Sequence, residues 1–283
     1  MQDLGSGDGA SRARAIYDYG DTAIFASTED PRFHMLLYVP PAAAEGRKVD
    51  LLVAIHGTGR TSAVEFRDGF AEFGLYNDCA VLCPIFPVNV LGDGERSGYK
   101  FLIEGDIRYD HVLLSMVEEM ARKYDQDWSK FALFGYSGGG QFTNRFAVVH
   151  PEKLWAASIG APGTVSLLDP DRDWWVGVRN LAAVFGKPFD AEALKSVPVH
   201  MVVGSADLET WEITRKPGSF QYMEGANDAG GTRPARLHRL KQSFEQAGVK
   251  VHLDEIPGIS HDRMKCIGHV KAFLARVLKE KRS

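Results

Sequence analysis

KFALFGYSGGGQF, residues 130–142, sets an apolar run directly against a glycine cluster that holds one serine. Within it Gly135-Tyr136-Ser137-Gly138-Gly139 has the spacing G-x-S-x-G. The surroundings give that spacing its meaning. FALFG before it reads as a strand, and GGQFTNRFAVV after it has helical spacing. A chain that leaves a strand and opens a helix in so few residues must turn sharply, and flanking glycines let the turn close without side-chain clashes. The serine is then expected to stand exposed at the upper edge of a sheet. The competing reading is a plain strand-to-helix turn with a capping serine.

Outward from this turn the same rhythm repeats. DLLVAIHG, CAVLCPIFP, LWAASIGAP, PVHMVVGSAD and KVHLDEIPG read as strands. SAVEFRDGFAEFG, DIRYDHVLLSMVEEMARKY, ARLHRLKQSFEQAG and DRMKCIGHVKAFLARVLKEK read as amphipathic helices. Strands apolar on both faces, alternating with such helices, predict a mostly parallel sheet covered on both sides. The first fifty or so residues differ. RAIYDY, TAIFAS and FHMLLYVP are short apolar runs between turns, and they predict antiparallel strands at the N-terminal edge. Residues 1–14 read as a flexible leader and 15–283 as one domain. Segments 163–196 and 208–231, after the sixth and seventh strands, break the alternation and read as aromatic-rich insertions, with three of the five tryptophans. They are expected to wall or lid a site, because ligands of open α/β sheets bind beyond the carboxyl ends of strands.

Composition narrows the function classes. The chain has 283 residues, 45% hydrophobic and 25% charged, with a formal net charge of -4. That balance predicts no attraction to nucleic acid or to an anionic membrane. No run approaches the roughly 20 apolar residues of a membrane span, and the N-terminus has no secretory h-region. Cys79, Cys83 and Cys266 form no disulfide framework and point to reduced thiols and a cytoplasmic location. Cys79 and Cys83 lie in a strand-like run without further ligands nearby, so they read as core thiols and no metal is assigned.

A serine hydroxyl attacks a carbonyl only when a base takes its proton, and the base needs a carboxylate to orient it. With a strand–serine–helix turn the partners follow in the order serine, acid, histidine. Of the histidines after Ser137, His150, His238 and His269 fall on helices, His200 starts a strand and His252 lies inside one. His261, in the loop PGISHDRM between the last strand and the last helix, can hang over the sheet's carboxyl edge. The acid is expected after the preceding strand, which gives Asp207, with Glu209 as substitute; Asp262 reads as a helix cap. Donors for a tetrahedral oxyanion are expected from the backbone N–H of Gly138 and from the loop after LLVAIHG, at Thr58 or else Gly59. His56 reads as a loop-shaping residue.

IHGTGR, GYSGGG, GSAD and GISH, in that order over residues 51–261, resemble the α/β-hydrolase family. HGTGR…FRDGFAEFG…AVLCPIFP is similar to its poly(3-hydroxybutyrate) depolymerase-like and feruloyl-esterase-like branch. The resemblance implies an eight-stranded, mostly parallel sheet and no cofactor. It also implies Ser137 as nucleophile, Asp207 as acid, His261 as base, and Thr58 and Gly138 as oxyanion donors. Secreted members carry a signal and often disulfides, and this chain shows neither. The aromatic residues Tyr136, Trp174, Trp175 and Trp211, with Phe185, Phe189, Phe220 and Tyr222 near the insertions, predict either a pocket for an apolar or aromatic group or simple packing of the insertions. Arg172 and Arg179 read as a solvated face. Three functions fit: hydrolysis of a small or medium carboxylic ester through an acyl-enzyme; an amidase, peptidase or lactonase using the same groups; or a small-molecule-binding protein without turnover.

Overall fold

The computed structural model describes residues 12–14 and 16–283. Most of the expected leader lies outside the described residues. Where RAIYDY predicts a strand, residues 12–14 and 16–17 are helical. Three short strands follow, β1 (Gly20–Asp21), β2 (Phe25–Ala26) and β3 (His34–Val39). Both β1 and β2 pair antiparallel with β3. TAIFAS thus yields a strand of only two residues, since a short run beside a turn has little ladder to gain.

The strands read from the apolar runs form as expected: β4 (Asp50–Ile55), β5 (Cys79–Ile85), and later β8 (Phe131–Tyr136), β9 (Leu154–Gly160), β10 (Val199–Gly204) and β11 (Val251–Ile256). Between them Ile103–Glu104 and Ile107–Arg108 make a separate two-stranded hairpin, β6 and β7. It takes the residues just before Tyr109, so the helix read from Asp106 starts at Tyr109 and ends at Tyr124. Among the described residues the main sheet has nine strands, eight of them along the path β1-β3-β5-β4-β8-β9-β10-β11. From β5 to β11 every pairing is parallel, while β3 meets β5 antiparallel. Strand β8 is buried at all positions, and β11, the last strand of the path, is partly exposed throughout. A continuous apolar run thus marks a central strand, and mixed polarity marks the edge.

Register sets the site. Ile55 pairs with Gly135, Tyr136 with Gly160, and Gly204 with Ile256. The carboxyl ends of β4, β8, β9, β10 and β11 therefore lie along one rim. Helix Ser62–Tyr76 packs against β3, β5 and the last helix, Arg263–Arg282. The helix after the serine, Gly138–Val149, is buried along its whole length, including Gln141, Thr143, Asn144 and Arg145. Segment 163–196 contains two five-residue helices, Leu181–Phe185 and Ala191–Lys195, and 208–231 contains neither helix nor strand.

Candidate active site

Ser137 joins β8 to helix Gly138–Val149 with φ 59° and ψ -114°, a conformation that L-residues adopt only under constraint. Its N–H donates to Gly160 O at 2.9 Å, which ties the turn to the neighbouring strand. The glycines allow this by close approach. A Cβ on Gly135 would run into the backbone of Gly139, and one on Gly139 would lie 2.9 Å from His56 O. The side chain of Ser137 is left partly exposed, lining a cavity of about 220 Å³.

The loop after β4 comes close to the start of that helix. A Cβ placed on Gly138 would sit 3.2 Å from Thr58 N. Gly57 N–H is occupied by Ser62 Oγ at 2.8 Å, whereas Thr58 N–H has no hydrogen-bond acceptor among the described residues. The N–H of Gly138 is free by helix geometry, being in the first turn. Two backbone donors thus open beside Ser137. His56 shapes this loop as expected. Its Nε2 accepts from Phe86 N at 3.0 Å and its Nδ1 donates to Gly57 O at 2.8 Å. Burial, with the Arg60 charge second, pushes the imidazole down to about 3, so it stays neutral. Arg60 adds bonds to Thr58 O and Phe86 O.

Asp207 follows β10 with its carboxylate fully buried. Its Oδ2 lies 2.5 Å from His261 Nδ1, and its Oδ1 accepts from Arg233 Nη1 at 3.0 Å. An ionised carboxylate can only accept, so the bond holds the proton on Nδ1 and leaves Nε2 as the basic nitrogen. The His261 ring packs on Tyr136, the residue before Ser137, with centroids 5.1 Å apart. Among the described residues Ser137 and His261 make no direct hydrogen bond. Glu209 is exposed, and Asp262 caps the last helix, accepting from Met264 N at 3.0 Å. The remaining histidines after Ser137 pair elsewhere: His150 with Asp110, His238 with Glu255, and His200, His252 and His269 with Asp254.

The aromatic residues divide. Trp211 is 77% exposed and lines the cavity with Ser137. Trp175 does not line it; the ring is buried against Phe101, with Nε1 donating to Gln221 O at 2.9 Å. Trp174 packs on Phe185 at 4.8 Å. Both take the packing alternative for such residues, and neither lines the cavity that holds Ser137. Tyr136 is likewise buried beneath the imidazole and does not line the cavity. Arg172 pairs with Asp228 and Arg179 with Asp173 at the surface.

The lining includes polar residues that carry no sequence motif. Lys100 and Arg215 face the cavity together with Arg96, Gln141, Thr164, Glu212 and Arg233. Gln141 and Thr164 are bonded at 2.6 Å, and Arg145 reaches Thr164, Ser166 and Lys100 O, tying helix Gly138–Val149 to both walls. Arg233 has a faint sequence trace: it opens the helix after the loop that holds Asp207, where a basic residue is unfavourable unless something negative faces it.

No family model matches the chain, and no curated protein matches it in sequence. Solved structures do match in shape. A poly(aspartic acid) hydrolase-1 from Sphingomonas sp. KT-1 is 20% identical, with 85% of this chain and 92% of that one covered and a TM-score of 0.67. A poly(3-hydroxybutyrate) depolymerase from Bordetella parapertussis is 22% identical, with 87% and 88% covered and a TM-score of 0.64. A ferulic acid esterase is 14% identical, with 90% and 97% covered and a TM-score of 0.60. These likenesses show the fold: this chain has the α/β-hydrolase fold.

Proposed function

We propose that the protein is a serine hydrolase that cleaves a carboxylic ester through an acyl-enzyme. The observation that carries the reading is the strained Ser137 turn at the same rim as His261 bonded to the buried carboxylate of Asp207, with free amides of Thr58 and Gly138 beside the serine. In the mechanism His261 Nε2 takes the Ser137 proton as Oγ attacks the carbonyl carbon. Asp207 stabilises the imidazolium and fixes its tautomer, and the two amides hold the oxyanion. His261 returns the proton to the leaving alcohol. Water, deprotonated by the same imidazole, then releases the acid. The Nε2–Oγ hydrogen bond is expected to form when substrate binds, since catalytic hydrogen bonds often tighten only in the Michaelis complex.

Similarity to a poly(3-hydroxybutyrate) depolymerase and a ferulic acid esterase supports ester cleavage. Similarity to a poly(aspartic acid) hydrolase keeps amide cleavage as the second reading, because poly(aspartic acid) is joined by amide bonds and the same groups serve both reactions.

The test is covalent labelling with a fluorophosphonate, read as a mass shift on the peptide bearing Ser137, followed by a panel of aryl esters, lactones and aminoacyl amides. Ser137→Ala is expected to abolish labelling and to lower turnover by about 10³-fold or more with folding intact. A protein that binds without turnover would leave the probe unreacted, and ester cleavage undiminished in Ser137→Ala would remove Ser137 from the mechanism.

A further inference from the structure

The cavity at Ser137 is cationic. Arg96, Lys100, Arg215 and Arg233 line it, with Glu212 as the carboxylate among the described lining residues. Glu212 is already engaged, since Arg233 bridges it at 2.7 Å and Asp207 at 3.0 Å. Lys100 and Arg215 make no ion pair among the described residues. Lys100 is 6% exposed, and its ammonium donates only to Ser97 Oγ at 3.1 Å, leaving two donors unfilled. The backbone of Lys100 is fixed, because Arg145 Nη1 donates to its carbonyl at 2.7 Å. The side chain runs close to the oxyanion amides: Lys100 Cε lies 2.9 Å from where a Cβ on Gly138 would sit. Arg215 comes from segment 208–231, its guanidinium 5.4 Å from the centre of the Phe101 ring. Its Nε is buried with no partner, and Nη1 reaches Phe220 O only at 3.4 Å.

Buried polar donors are normally satisfied, and buried charges are normally paired. Two neighbouring cations with no counter-charge and only part of their donors filled, converging on one cavity, repel each other and lose hydration. Burial, then the Arg215 charge, pushes the Lys100 ammonium down to about 7. The neighbouring Arg145 and Arg236 do not relieve this, since their hydrogen bonds go to hydroxyl, amide and carbonyl oxygens. Such an arrangement lowers its energy when an anion enters.

Resting on the hydrolase reading above, we infer that the scissile ester carries a carboxylate close to its reacting carbonyl, and that Lys100 and Arg215 hold that carboxylate. They are specificity-determining residues, and the substrate class is the anionic half-ester rather than the neutral apolar or aromatic ester that the sequence suggests. Trp211 can cover the bound group at the mouth of the cavity without contributing charge.

The experiment compares the p-nitrophenyl half-ester of glutarate with p-nitrophenyl pentanoate on the full chain at low salt. A charge-assisted pair made only by the anionic ester is expected to raise its kcat/KM about tenfold or more over the neutral one. That ratio is expected to fall towards one in Lys100→Met and in Arg215→Met. Glutarate, but not glutaramide, is expected to slow fluorophosphonate labelling of wild-type Ser137, a readout that needs no folded variant. Equal or better cleavage of the neutral ester, or a preference that both variants retain, overturns the inference while leaving the hydrolase reading intact. If Ser137 does not label and neither ester is cleaved, the hydrolase reading falls and the inference with it.

Discussion

Lys100 shows what a functional charge costs at the scale of one residue. It sits on a buried turn, Gly98–Phe101, between aromatic neighbours, with a charge that the fold leaves unpaired. Replacing a buried, poorly paired ion by an apolar group of similar volume is usually neutral or stabilising by about 1–4 kcal/mol. Lys100→Met is therefore expected to raise the unfolding free energy within that range at pH 6, read by urea denaturation. The groups that set the lysine's charge are Arg215, Glu212, Arg60 and Glu95. Its folded-state pKa, about 7, lies below the ordinary 10.5, so the unfolded chain binds the extra proton between those values and the wild type gains stability as pH rises through them. The advantage of methionine is thus largest below pH 7 and shrinks above it. A variant less stable than wild type at pH 6 would show that the ammonium is well solvated. Residues of this kind leave no trace in the sequence. The proposed triad of Ser137, Asp207 and His261 could be picked out in the sequence because each follows a strand that an apolar run marks. Lys100 and Arg215 acquire their meaning only when two segments over a hundred positions apart meet.

At the scale of elements, the turn from β8 to its helix was read correctly from glycine spacing because the constraint is local. The partner of each glycine was not readable. Gly139 faces the end of β4, where added atoms meet the backbone of Ile55 and His56, which cannot yield. Gly139→Ala is expected to cost about 2–3 kcal/mol by overpacking and to slow fluorophosphonate labelling by displacing the serine. Gly268, inside helix Arg263–Arg282, has nothing within 4 Å of an added Cβ. Gly268→Ala is expected to stabilise by about 0.5–1 kcal/mol through helix propensity and a stiffer unfolded chain. Thermal and urea unfolding of the pair separates close approach from mere flexibility; losses of equal size would defeat the distinction. The insertions resisted reading for a different reason. Tryptophans such as Trp175 and Trp211 have the same composition signature whether they pack inward or face a cavity, and only the fold decides which.

For the whole molecule, the alternation of apolar strands and amphipathic helices carried the architecture, because burial on both faces is written along each strand. The N-terminal edge was less legible. The two-residue strands β1 and β2 gain their structure from pairing with β3 rather than from any local pattern. The sheet itself sets how the molecule opens. Strand β5 is paired on both sides, antiparallel to β3 and parallel to β4, and both Cys79 and Cys83 on it are fully buried. Burial pushes both thiols well above the ordinary range, which removes the reactive thiolate. Reaching them requires breaking two ladders and the packing of helix Ser62–Tyr76, which amounts to global unfolding. Iodoacetamide labelling of the peptide bearing Cys79 and Cys83 is therefore expected to be very slow in the native protein. With increasing urea its rate should rise with the slope of the global unfolding transition. Rapid labelling in the absence of denaturant, or a slope well below the global one, would mean that β3 and β5 part without the rest of the sheet and that this edge is a separate unit of stability.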